Sequence, residues 1–149
     1  MDLAEPTNGH RGLDVVVTSL ASDAHTWNLV YLQLVLEELG HRVVNLGACV
    51  PDDLLVTECV RHRPDLVVVS SVNGHGAHEA KRVIGRLRAR PELAATPVVV
   101  GGKLGIDGPG GQRRAADLTA AGFDAVFEDA GSLAAFRSFL DRLPVGVRS

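Results

Sequence analysis

An α/β fold built on a doubly wound parallel sheet is what this sequence predicts, and three observations predict it. Five short valine-rich runs recur along the 149 residues. Each is nearly continuously apolar rather than alternating, as strands are when helices cover both faces of their sheet. The segments between them carry apolar residues at helical spacing, so strand and helix alternate throughout. Parallel strands joined through a helix cross over right-handedly. Five such units favour the strand order 2-1-3-4-5, a flavodoxin-like (Rossmann-like) sheet whose ligand crevice opens at the carboxyl ends of the first and third strands.

The strands are expected at Leu13–Ser19, Arg42–Leu46, Leu66–Ser71, Pro97–Val100 and Ala125–Phe127. After the first, Leu29, Leu32, Leu36 and Leu39 form one helical stripe, Gln33, Glu37 and Glu38 take another face, and Gly40 stops the helix. Pro51-Asp52-Asp53 starts the second helix with acids in its first turn. Leu55, Cys59 and Val60 are its buried side, and Arg61, His62 and Arg63 close it near the negative end of the dipole. Ala80, Val83, Ile84 and Leu87 mark the third helix, with Lys81, Arg82, Arg86 and Arg88 in solvent. Ala115, Leu118 and Ala121 mark the fourth, which ends at Gly122. Leu133, Ala134, Phe136, Phe139 and Leu140 mark the fifth.

A chain of this length buries one full core and is too short for two ordinary domains. The expected division is a loose tail at 1–12, one domain at 13–143 and a short tail at 144–149. Apolar content of 46% and a net charge of -3 describe a soluble protein. Scattered positive charges and 4% aromatic residues argue against a nucleic-acid partner. No apolar run is long enough for a bilayer, and residues 1–12 lack the charged start and apolar centre of a signal peptide. Cys49 and Cys59 suggest no disulfide framework, so the expected compartment is the cytoplasm.

Three segments fall on the carboxyl edge: Ser22-Asp23-Ala24-His25-Thr26-Trp27-Asn28, Ser70-Ser71-Val72-Asn73-Gly74-His75-Gly76, and Gly101-Gly102-Lys103-Leu104-Gly105 with a glycine-rich continuation to Gly111. An imidazole that gives one nitrogen's lone pair to a metal must carry its proton on the other nitrogen, and a carboxylate on that side fixes the tautomer. Asp23, two residues before His25, is placed to do this. Equally, the pair can cap the following helix. Ser70 and Ser71 can satisfy backbone groups at a strand end. Gly101-Gly102 can be a tight turn, or can clear a path where a flat ligand nears the backbone. His75 and His78 share a helix face but lack a third ligand, and His10, His41 and His62 have no assigned role. A phosphoreceiver, which shares this topology, needs an acid where this chain has Ser70 and Ser71.

On these residues the sequence resembles the cobalamin-binding small (sigma) subunits of glutamate mutase and, more broadly, the B12-binding domain of cobalamin-dependent mutases and methionine synthase. That family carries Asp-x-His-x-x-Gly after its first strand, Ser-x-Leu after its third and Gly-Gly after its fourth. Here the positions read Asp23-Ala24-His25-Thr26-Trp27-Asn28, Ser70-Ser71-Val72 and Gly101-Gly102. The likeness continues through Gly40-His41-Arg42-Val43-Val44-Asn45-Leu46-Gly47 and Ala121-Gly122-Phe123-Asp124-Ala125-Val126-Phe127.

The resemblance implies adenosylcobalamin as cofactor. It makes His25 the lower axial cobalt ligand in place of the dimethylbenzimidazole base, with Asp23 bonded to its other nitrogen. Ser70 would bond the displaced base, Val72 would line its slot, and Gly101 and Gly102 would let the nucleotide tail pass. Ser22, Ala24, Thr26, Trp27, Asn28, Ser71, Gly74, Lys103, Leu104 and Gly105 complete the implied binding surface. It further implies an isomerase converting glutamate to 3-methylaspartate, with substrate on a separate large TIM-barrel subunit in a heterotetramer, and no activity for this chain alone. A related mutase with another substrate, or a non-catalytic cobalamin sensor or interaction module, would carry the same motifs. Two positions depart. Asn28 replaces the family glycine, and asparagine visits the left-handed region more readily than other side chains. Val72 replaces leucine, a loss of one methylene worth about 1 kcal/mol at most.

Overall fold

β-branched side chains favour the extended backbone, and valine dominates every strand but the last. The computed structural model describes residues 12–21, 27–70, 76–101, 111–127 and 132–143. Its strands are β1 (Asp14–Ser19), β2 (Arg42–Asn45), β3 (Leu66–Ser70), β4 (Val98–Gly101) and β5 (Ala125–Phe127). They form one parallel sheet in the order β2-β1-β3-β4-β5, as the sequence predicts. The helices are α1 (Trp27–Glu38), α2 (Asp52–His62), α3 (Gly76–Arg88), α4 (Gly111–Ala121) and α5 (Ser132–Arg142), with a 3-10 turn at Pro91–Leu93. No described helix is long and apolar enough to cross a membrane.

Successive strand residues enter opposite cores. Val16, Val67, Val69, Val98 and Val100 pack with Leu55, Cys59, Ala80, Ile84 and Leu118, from α2, α3 and α4. Val15, Val17, Leu66, Val68 and Val99 pack with Leu29, Leu36, Phe136 and Leu140, from α1 and α5. Truncating a fully buried leucine such as Leu36 to alanine costs about 2–5 kcal/mol. The unbroken apolar runs follow directly from this arrangement, since neither sheet face is left to water.

Three side chains stand differently from expectation. Leu39 lies beyond the end of α1 and is exposed, because the helix gives way to a turn before Gly40 (φ 97°). Ala134 is exposed on α5, whose inner side is held by the larger Phe136 and Leu140. Arg88 is not free in solvent. Its guanidinium donates to the carbonyls of Gly122 (2.9 Å), Leu93 (3.1 Å) and Thr96 (2.6 Å) and to the Asp124 carboxylate (2.8 Å). By contrast, Arg82 and Arg86 pair with Asp52 and Asp53 across α2 and α3, as exposed ion pairs do.

The amino-terminal ends of the strands are held by side chains. The residue just before β2, β3 or β5 accepts a backbone N–H from the neighbouring strand. His41 Nδ1 takes it from Leu13 (2.9 Å), Asp65 from Asp14 (2.9 Å) and Asp124 from Val98 (2.7 Å). Asp65 and Asp124 return the bond through their own N–H groups, to the Asp14 and Val98 carbonyls at 2.7 and 2.8 Å. These rings satisfy strand-end groups that the ladder leaves over. His41, without a role in the sequence, thus has a structural one.

Candidate functional site

Parallel register brings four strand ends into one row on the carboxyl edge. Ser19 of β1 stands opposite Ser70 of β3, Ser70 opposite Gly101 of β4, and Gly101 opposite Phe127 of β5. Three successive positions across the sheet therefore carry nothing larger than a hydroxymethyl group. Ser19 is 1% exposed and Ser70 3%. With Thr18 they are the buried polar residues among those described, all at or next to this edge. Buried hydroxyls cost free energy unless hydrogen-bonded. Ser19 meets the cost through Gly47, whose carbonyl accepts both its Oγ (3.0 Å) and its N–H (3.3 Å).

Gly101 has a reason to be glycine that the sequence does not show. A Cβ built there would lie 3.1 Å from the Phe127 carbonyl oxygen and 3.6 Å from Phe127 Cβ. The neighbouring strand closes the space a side chain would need.

The row fits a bound organic cofactor better than acid–base chemistry. Its members offer hydroxyls, backbone groups and one aromatic ring, and none is ionisable. What it can do is hold and orient. Among the described residues no group of three or more histidine, cysteine, aspartate or glutamate side chains is gathered as a metal site. His78 is exposed on α3, and His75 lies outside the described residues.

Of the residues singled out from sequence, Ser70 and Gly101 are thus on the edge and adjacent in register. Asn28 is the second residue of α1, so its backbone is helical. Positive φ at non-glycine residues occurs, among those described, at Cys49 (54°) and Arg63 (48°). The substitution of glycine by asparagine at 28 therefore meets no left-handed backbone. Trp27 opens α1. Ser22, Asp23, Ala24, His25, Thr26, Ser71, Val72, Gly74, Gly102, Lys103, Leu104 and Gly105 lie outside the described residues.

Sequence reasoning missed Ser19, Asn45 and Gly47. Asn45 Oδ1 accepts the Gly47 N–H at 2.8 Å, and its Nδ2 donates to Gln33 Oε1 of α1 at 3.1 Å. Asn-x-Gly at a strand end is a turn signal that would have found the second and third of these. Burial also separates the two thiols. Cys49 is exposed, while burial, with Glu58 adding, pushes the Cys59 thiol up from 9.0 to about 12.

The model of the B12 binding domain family matches residues 13–135. The glutamate mutase sigma subunit of Halobacterium salinarum is 34% identical over 113 residues, which is 76% of this chain and 74% of that protein. The HTH-type transcriptional repressor CarA of Myxococcus xanthus is 40% identical over 83 residues, 55% of this chain and 28% of the repressor. A cobalamin-binding protein of solved structure from Desulfitobacterium hafniense aligns over 85% of this chain with a TM-score of 0.67. At 19% identity that likeness concerns the fold, and this chain spans 59% of that one.

Proposed function

The chain belongs to the B12-binding domain family, and on that premise we propose that it is the cobalamin-carrying small subunit of an adenosylcobalamin-dependent carbon-skeleton mutase. The reaction would be the isomerisation of glutamate to 3-methylaspartate, in the cytoplasm. The observation that carries the reading is the row Ser19, Ser70 and Gly101. Two of its members, Ser70 and Gly101, belong to the family motifs and stand side by side on one edge, where a flat nucleotide tail would run. The identity with a sigma subunit supports the substrate.

In this reading His25 would hold cobalt through one imidazole nitrogen, and the Asp23 carboxylate would accept the N–H of the other, raising the basicity of the ligand. The Ser70 hydroxyl, buried at the end of β3, would bond the displaced base. Ser22, Ala24, Thr26, Trp27, Asn28, Ser71, Val72 and Gly74 would form the entry, and Gly102, Lys103, Leu104 and Gly105 would continue the tail's path beyond Gly101. The bound cofactor supplies a weak cobalt–carbon bond, and the protein supplies orientation and exclusion of water. Substrate would bind on a separate TIM-barrel subunit in a heterotetramer, as the likeness to sigma subunits suggests, and the chain alone would be inactive.

Titration with cobalamin tests this. Histidine coordination predicts a nitrogen splitting in the Co(II) resonance spectrum that changes when the protein is labelled with a nitrogen isotope and vanishes in His25→Ala. A splitting indifferent to both would show that His25 is not the ligand. A second reading, a regulatory module without catalysis, is favoured by the 40% identity with a transcriptional repressor. Adding a candidate large subunit with glutamate separates the two, since only the mutase reading predicts 3-methylaspartate.

A further inference from the structure

Helix α1 is apolar on two sides. Of its residues only Asn28, Gln33, Glu37 and Glu38 are polar. Leu29 and Leu36 are buried in the core against the sheet. Val30 is 41% exposed, Tyr31 51% and Leu34 60%. Spacings of three and four residues put these last three on one outer stripe, turned away from the sheet. They are half of the six large apolar residues exposed among those described. A surface helix ordinarily gives that side to charged and polar groups, and one apolar all round is one that is covered.

The charges of α1 say what would cover it. Its last turn holds Glu37 and Glu38 and no base, and its first turn holds no acid. That is the reverse of what a helix dipole favours, since acids are stabilising at the amino end and destabilising at the carboxyl end. A second copy of the helix, laid antiparallel on the first, corrects both ends at once. With Tyr31 of each copy level with Leu34 of the other, Glu38 comes level with Trp27, the first residue of the other helix. Each pair of carboxylates then lies beside a positive helix end. Parallel copies would instead gather all four carboxylates together.

We propose that the outer stripe of α1 joins two copies of this chain, paired antiparallel about a two-fold axis, with Tyr31 of each against Leu34 of the other. Such a contact uses the same patch on both sides, as two-fold symmetry requires. Three apolar side chains and one acidic turn cover less than the standard interface of about 800 Å² per partner, so the dimer is weak and reversible. Because α1 packs against β1 and β2 on a face of the sheet, the carboxyl edge stays open in the pair. Nothing in this pairing depends on the cofactor.

The test is sedimentation equilibrium of the full chain, without cobalamin, from micromolar to millimolar concentration. Wild type is expected to pass from monomer to dimer across that range. Tyr31 is the only tyrosine of the chain, so a tyrosine difference spectrum on dilution should follow the same curve. Leu34→Glu is expected to weaken association about tenfold or more. The position is exposed, so the melting temperature of the dilute variant should match wild type. Glu38→Lys separates the orientations. It suits the dipole of its own helix and should leave the dilute protein at least as stable, yet weaken an antiparallel dimer about fivefold. A dimer tightened by Glu38→Lys would be parallel and would overturn the arrangement. A wild type that stays monomeric, or a dimer indifferent to Leu34→Glu, overturns the proposal. If wild type stays monomeric while Leu34→Glu loses binding to a candidate large subunit, the stripe belongs to that subunit and the second copy is ruled out.

Discussion

The Asp124 carboxylate accepts the Val98 N–H at 2.7 Å, while the Asp124 N–H is given back to the Val98 carbonyl at 2.8 Å. This two-bond ring joins the start of β4 to the residue before β5, and the same carboxylate oxygen also takes the Arg88 guanidinium at 2.8 Å. Asp124→Ala leaves a strand amide and a part-buried cation short of a partner. The expected loss is about 2 kcal/mol, the usual consequence of an unmade bond to a charged group. Urea unfolding would measure it. A midpoint unmoved by the substitution would show that water satisfies both donors.

Arg88 makes a second prediction. Its planar fork serves four carbonyls, of Leu93, Ala94, Thr96 and Gly122, and Asp124 from α3, and one ammonium cannot reach them all. Arg88→Lys should cost about 1–3 kcal/mol. Combined with Asp124→Ala it should cost less than the sum, because the two groups share a bond. Strict additivity in a double-mutant cycle would contradict the shared hub.

The thiols give a pH dependence. Cys59 stays protonated in the folded chain until about 12, because burial disfavours the thiolate and Glu58 adds to the effect. In the unfolded chain the thiol ionises near 9.0. Stability from this group is therefore full below about pH 9 and falls as pH rises toward about 12. Cys59→Ala should flatten that decline in urea titrations. At pH 8, roughly the ordinary thiol range, iodoacetamide should label Cys49 in the native protein and both cysteines only after denaturation.

Gly101→Ala presses a methyl group against the Phe127 carbonyl. The sheet must yield by a few tenths of an ångström, at a cost of about 1–2 kcal/mol. Differential scanning calorimetry would read the fall in melting temperature. If the edge also carries the cofactor's tail, cobalamin binding should weaken at temperatures where the variant remains fully folded. An unchanged melting temperature would remove the steric account of this glycine.

Periodicity made the sheet legible. Unbroken valine runs can be buried on both faces only in a helix-covered sheet, and five of them with helical spacers leave few chain paths. That reasoning reached β3 and β5 to within a residue. The motifs also identified the B12-binding family that the comparisons bear out. They could not separate neighbours in space. Gly101 looks like a clearing for a ligand until register sets it beside Phe127. Arg88 looks like its solvated neighbours Arg82 and Arg86, because helical spacing cannot show that carbonyls of Gly122 and Thr96 converge on it. Asn45 and Ser19 lie 26 positions apart and meet only through Gly47.

The His41 bond and the Asp65 and Asp124 rings have an evolutionary consequence. They set strand alignment from the end of the sheet remote from the strand exits. Loops at the exits can then be exchanged, lengthened or recoloured with new chemistry without shifting the alignment beneath them. Inheritance of the frame and innovation in the loops become separable. A descendant of this chain could change what it carries while conserving how its strands are keyed together.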